Sequence, residues 1–162
     1  MTKSKLMFDK HGYCTLPYFA YGSNLYLKQM LKRCPDAKPM VKVVAHDTAL
    51  VFKGVADIVR QKGAITFGAL YKVSSSDISA LDVYEGYPFL YVKRKLTVLN
   101  ACDGTPIECF AYVMVRSRSY HAPKPYYLDI IRAGYNDWNI DDTCLLDSTN
   151  MVNTHAQTGI SR

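Results

Sequence analysis

A chain of 162 residues, 49% of them hydrophobic, is sized for one domain with a full core. No run approaches the ~20 apolar residues of a membrane span. The five cysteines form no C-x-x-C pair and the four histidines lie far apart, which argues against a disulfide framework or a metal site, and nothing calls for a cofactor.

The formal charge of +6 raises the question of a polyanionic partner. The densest cluster, Lys93-Arg94-Lys95, lies in an alternating pattern that sends Lys93 and Lys95 one way and Arg94 the other. That division favours a solvated strand face over a nucleic-acid surface.

Met1 to Thr15 is polar and mixed and reads as a loose lead-in. Its apolar patch, Leu6-Met7-Phe8, is too short for a secretion signal, so the chain reads as soluble and cytoplasmic. Leu16 to Tyr21 is aromatic and apolar and predicts a buried strand. Gly22-Ser23-Asn24 breaks it. A helix follows over Leu25 to Arg33, with Leu27, Met30, Leu31 and Cys34 at helical spacing and Ser23 or Asn24 as N-cap. A turn of this kind either gathers backbone N–H groups into a small anion site or is only a connection.

Cys34-Pro35 ends the helix. Met40 to Lys53 reads as extended and Gly54 punctuates it. Ile58-Val59 and Ala64 to Val73 flank Gln61-Lys62-Gly63, a hairpin signal. Ser74 to Asp77 offers N-caps for a short helix over Asp77 to Tyr84, which Gly86 stops. Ile78 and Leu81 define its apolar face, and Glu85 falls on the same side if the helix reaches it. An inward carboxylate needs a chemical reason, because an unpaired buried charge is costly. Asp82, close to that face, is the rival carboxylate.

Pro88 to Leu99 and Ile107 to Val115 form a second hairpin about Asp103-Gly104. Arg116 to Lys124 is a loop. Tyr127, Ile130, Ile131, Gly134, Tyr135 and Trp138 then repeat at helical spacing. Residues 1–140 thus read as a single domain, and 141–162 as a polar, loosely ordered tail. The pattern, six or seven strands and three helices in mixed order, is α+β with a curled, mostly antiparallel sheet.

Four segments, in order, resemble the gamma-glutamylcyclotransferase family, also described as AIG2-like. Tyr18-Phe19-Ala20-Tyr21-Gly22-Ser23-Asn24-Leu25 is similar to its signature loop, and Gly68 to Val73 to its central strand. Leu81-Asp82-Val83-Tyr84-Glu85-Gly86 resembles the segment with its catalytic glutamate, and Pro125 to Ile131 its late substrate-closing helix. The resemblance implies a small barrel-like sheet ringed by helices, with a cavity at one mouth. It implies an enzyme that cyclises a gamma-glutamyl amino acid or amine to 5-oxoproline, with Glu85 as general acid/base. Substrate contact falls to Tyr18, Phe19, Ala20, Tyr21, Gly22, Ser23 and Asn24, and to Tyr91 and Tyr127, for which a core aromatic with a polar tip is the competing reading. The resemblance implies a homodimer and a small-molecule partner.

The segment Phe52 to Thr66 is short against the animal members, and Gly86 to Tyr91 differs, so the leaving group is left open. A non-catalytic metabolite-binding module on the same scaffold is the alternative. A nucleophilic hydrolase is disfavoured, since Ser23 has no evident partner and Cys34 sits at a helix end.

Overall fold

The computed structural model describes residues 5–115 and 118–158. Five strands close into a barrel in the order β1-β3-β2-β4-β5. They are β1 (Tyr18–Ala20), β2 (Lys38–Phe52), β3 (Ala56–Lys72), β4 (Tyr91–Asn100) and β5 (Pro106–Met114). All pairings are antiparallel except β1 with β5, where Tyr18 faces Phe110 in a parallel contact. The α+β class with a small, mostly antiparallel barrel is therefore as the sequence predicts.

The strand count differs because β2 and β3 are long, continuous arms. They turn at Gly54 (φ 83°), and Phe52 pairs with Ala56. Gln61-Lys62-Gly63 is not a hairpin. It lies within β3 as an irregularity, where the register passes from Thr48↔Arg60 to His46↔Ile65. Gly63 (φ 81°) and Asp47 (φ 53°) both take left-handed backbone there, and the Gly63 N–H donates to Asp47 Oδ1 at 2.8 Å. A glycine in left-handed geometry serves a bulge as well as a turn, which is why its sequence cannot separate the two.

Helices cover the ring: α1 (Leu27–Arg33), α2 (Ser75–Glu85), α3 (Pro125–Asp137) and α4 (Thr143–Thr158). A single 3-10 turn, Ser23–Leu25, joins β1 to α1. Neither Ser23 nor Asn24 caps α1: its N-cap is Tyr26, and the Leu27 N–H donates to Asp137 Oδ2 of α3. In α2, Ser74 and Asp77 form a reciprocal capping box, and Gly86 (φ 62°) ends the helix. Pro125 occupies the first position of α3, where its missing N–H costs nothing.

The segment read as a loose tail carries α4 up to Thr158, and Leu145, Ser148 and Val152 are buried. Its apolar positions are too few to outweigh the polar composition in a sequence reading. The Ser148 hydroxyl, which donates to the Cys144 carbonyl, lets a polar residue sit on the inner face. Residues 159–162, the first four of the lead-in, and 116–117 at the start of the predicted loop lie outside the described residues. The rest of the lead-in is docked: Cys14 N–H donates to Val73 O, and Thr15 N–H to Met7 O, both at 2.8 Å. No helix among the described residues is long and apolar enough to cross a membrane.

Candidate active site

One mouth of the barrel opens into a cavity of about 260 Å³. Its walls come from β1 and the 3-10 turn (Tyr18, Tyr21, Gly22, Ser23, Asn24), the β2–β3 turn (Val55, Ala56), the end of α2 (Tyr84, Glu85), Leu90, Tyr91, Tyr112 and Tyr127. Glu85 is the one carboxylate on this wall.

Helix α2 does reach Glu85, so the Ile78–Leu81–Glu85 stripe faces inward as its spacing predicts. Burial pushes the Glu85 carboxyl from 4.5 up to about 7, and the Arg33 guanidinium pulls back against that rise. Asn24 holds it: Asn24 Nδ2 donates to Glu85 Oε1 at 3.3 Å and to the Tyr18 hydroxyl at 2.9 Å, while Asn24 Oδ1 accepts from Arg33 Nη1. Asn24 thus spends its side chain on the glutamate rather than on a helix cap. Asp82 is engaged elsewhere, accepting from the Tyr112 hydroxyl at 2.5 Å and pairing with Lys93 at 2.7 Å. Lys93 is therefore turned inward, and the basic cluster is split more completely than alternation alone predicts.

The tyrosine hydroxyls fall into two sets, decided by their fixed partners. A carbonyl can only accept, so Tyr21 donates to the Tyr112 carbonyl (2.5 Å) and Tyr91 to the Ala56 carbonyl (2.6 Å). Their remaining lone pairs make them acceptors toward the cavity. A backbone N–H can only donate, so Tyr127 accepts from Ala56 N–H (3.1 Å) and keeps its own proton to give, with Ser23 in reach. Tyr18, accepting from Asn24, is likewise free to donate. Burial raises all four phenols, Tyr127 to about 12, so they stay neutral.

Of the residues assigned by sequence, Tyr18, Tyr21, Gly22, Ser23, Asn24, Glu85, Tyr91 and Tyr127 are brought together at the cavity. Phe19 and Ala20 are not on its wall. Both are fully buried, and the Phe19 ring lies over Gly68, where an added Cβ would come within 2.3 Å of it. The strand alternates, so Phe19 faces away from Tyr18. Tyr112, Tyr84 and Arg33 went unassigned. Tyr84 hydrogen-bonds the Ser23 hydroxyl at 3.0 Å and carries Arg33 over its ring. Among thirteen tyrosines, the sequence signal for Tyr84 is its place beside Glu85 on α2, and that for Tyr112 is strand alternation.

No group of three or more metal-ligating side chains is brought together among the described residues. A second, more open cleft of about 620 Å³ flanks the β2–β3 irregularity and carries Arg60, Lys62 and Lys95, apart from the tyrosine-lined cavity.

The family described as "Gamma-glutamyl cyclotransferase, AIG2-like" matches residues 18–138, which span the cavity. Gamma-glutamylcyclotransferase of Bos taurus is 32% identical over 130 residues, covering 72% of this chain and 68% of that protein. The Homo sapiens protein of the same name is 31% identical over 130 residues, with the same coverage of 72% and 68%. A solved structure described as "Gamma-glutamyl cyclotransferase" superposes with a TM-score of 0.70 at 26% identity, covering 85% of this chain and 86% of that one.

Proposed function

Since the chain belongs to the gamma-glutamyl cyclotransferase, AIG2-like family, we propose that its tyrosine-lined cavity is the active site and Glu85 its general acid/base. The activity is the cyclisation of a gamma-glutamyl compound, releasing 5-oxoproline and the free amino acid or amine. The reading takes the substrate as a small cytoplasmic metabolite, without a nucleic-acid or membrane partner.

The chemistry asks three things of the protein. The substrate must be curled so that its α-nitrogen reaches its own γ-carbonyl, which is proximity catalysis. The α-ammonium must lose a proton, because it has no lone pair to attack with. The leaving nitrogen must gain one. Glu85 takes the first proton as a carboxylate. The freed nitrogen bonds to the γ-carbon, closing a five-membered ring, and gives up its second surplus proton to solvent as it becomes the lactam N–H. As the bond to the leaving nitrogen breaks, the Glu85 carboxylic acid returns the proton to it. No water is consumed and no enzyme nucleophile is formed.

The observation that carries this role is the position of Glu85: a half-buried carboxyl, pushed up to about 7, facing a cavity of otherwise neutral groups. A base is most useful when its pKa lies near the working pH. The hydroxyl polarity fits the same substrate. Tyr21 and Tyr91, as acceptors, suit an ammonium. Tyr127 and Tyr18, as donors, suit a carboxylate or carbonyl oxygen, beside the backbone of Tyr21, Gly22 and Ser23. Gly22 leaves room here: an added Cβ would stand 3.1 Å from Ala56 Cβ and 3.6 Å from the Tyr127 hydroxyl.

The test is 5-oxoproline release from a panel of gamma-glutamyl amino acids and gamma-glutamyl amines, with Glu85→Gln in parallel. Release by the wild type and a loss of about 10²–10⁴-fold in the variant is the expected result. An active Glu85→Gln enzyme would overturn the assignment of the base. A wild type that releases nothing yet is stabilised by 5-oxoproline in a thermal shift would instead be a binding module.

A further inference from the structure

The turn between β2 and β3 contains an ion pair remote from Glu85 in sequence. Lys53 Nζ lies 2.7 Å from Asp57 Oδ2, and the two side chains are 6% and 2% exposed. The other Asp57 oxygen accepts from the Met114 N–H of β5 at 3.1 Å. Lys53 N–H donates to Val55 O, and Lys53 itself forms an isolated parallel bridge with His121. Such a pair is poor at adding stability, since desolvating two charges offsets most of their attraction, but it holds geometry strictly.

Between these two residues sits Ala56. Its N–H donates to the Tyr127 hydroxyl and its carbonyl accepts from the Tyr91 hydroxyl. Both tyrosines line the cavity. One peptide segment therefore sets opposite proton polarity on two hydroxyls: Tyr127 left as donor, Tyr91 left as acceptor. A rotation of that segment would break both bonds and leave each hydroxyl free to turn.

We propose that Lys53 and Asp57 are positioning residues that lock the Ala56 backbone and so fix which cavity hydroxyl donates and which accepts to the bound substrate. The substrate half of this inference rests on the reaction assigned above; the backbone half does not. Neither residue of the pair lines the cavity.

The experiment uses the full chain with Lys53→Met/Asp57→Asn, which removes both charges and keeps an acceptor for Met114 N–H, beside Lys53→Arg, which keeps the pair. Two quantities are read. Amide hydrogen exchange is followed at Ala56 and, as internal references, at Leu50 and Ile58. In the double variant, exchange at Ala56 accelerates at least about tenfold while the references hold, since one backbone bond has been released locally. In the cyclisation assay, KM rises about tenfold, as for the loss of one well-placed hydrogen bond, while the acidic limb of the pH profile stays put. Lys53→Arg restores both.

Unchanged Ala56 exchange in the double variant overturns the proposal, whatever the activity. So does a wild-type KM in a variant whose Ala56 amide has loosened. A double variant that does not fold overturns it too, because the pair would then determine the fold rather than the wall. If Ala56 loosens as expected but the wild type releases no 5-oxoproline, the backbone role stands and the reaction assigned to the cavity fails.

Discussion

The guanidinium of Arg33 sits over the ring of Tyr84, its central carbon 3.4 Å from the ring centroid. The same group donates to Asn24, which in turn holds Glu85. Arg33 is thus a positive charge stationed behind Glu85, favouring its ionised form. Arg33→Met removes that charge. Glu85 then holds its proton to a higher pH, so the acidic limb of the kcat/KM profile moves upward. A rate profile between pH 5 and 9, run against wild type, reads the shift. A limb that moves down or stays would dissociate Arg33 from Glu85.

Glu85→Gln is expected to be more stable than wild type at high pH. The folded-state carboxyl is raised from 4.5 to about 7. The folded protein therefore binds the proton more tightly than the unfolded chain, and wild-type stability from this group falls as pH rises from 4.5 through 7. Glutamine does not titrate. The variant's advantage should be near zero at pH 4.5, grow to about pH 7 and level off above it. At about 1.4 kcal/mol per pKa unit, its ceiling is roughly 3 kcal/mol. Urea unfolding of both proteins at pH 4.5, 6 and 8 measures it.

Asp82→Asn separates the roles of Asp82 and Glu85, the two carboxylates in the last turn of α2. The change leaves Lys93 partly buried without its counter-ion, and a loss of a few kcal/mol at most should appear in urea melts. The acidic limb set by Glu85 should persist. If Asp82→Asn abolishes the limb while Glu85→Gln retains it, the roles are reversed.

Tyr127→Phe deletes the acceptor for the Ala56 N–H. A buried donor left without a partner costs about 1–3 kcal/mol. The KM for any gamma-glutamyl substrate should rise with little change in the pH profile, since no titrating group of that range is removed. Thermal melts and steady-state kinetics on one preparation test both effects.

Gly134→Ala probes the support of the β1 turn. An added Cβ would lie 2.6 Å from both Leu25 Cβ and the Tyr26 nitrogen, so α3 cannot stay in place. Overpacking of this kind costs about 1–3 kcal/mol. The displaced 3-10 turn carries Ser23 and Asn24, so substrate affinity should fall along with the melting temperature.

The placement of Glu85 was legible because Ile78 and Leu81 share its face of α2, and helical spacing survives folding. The turn after β1 was legible as a break, but not in its conformation. Asn24 looks like a helix cap in sequence, and only the fold shows that Tyr18 and Glu85 compete for its amide and win. The partners of the tyrosine hydroxyls were hidden altogether. Tyr91 and Tyr127 meet at Ala56 over 35 and 71 residues of separation, and no local pattern reports that meeting. Gln61-Lys62-Gly63 misleads for a different reason: glycine in left-handed backbone marks a bulge and a hairpin alike. In α4, too few apolar residues mark the buried face for periodicity to stand out.

Strand β1 is three residues long, yet it alone joins β3 to β5 and so closes the ring. The seam of the barrel and one wall of the tyrosine-lined cavity are therefore one stretch of chain. If that stretch frays, β3 and β5 each expose an unpaired edge, the template on which other chains add strands. A ligand gripping Tyr18 to Asn24 would hold the seam shut by mass action. Occupancy of the cavity and resistance to edge-to-edge aggregation are, on this geometry, one equilibrium.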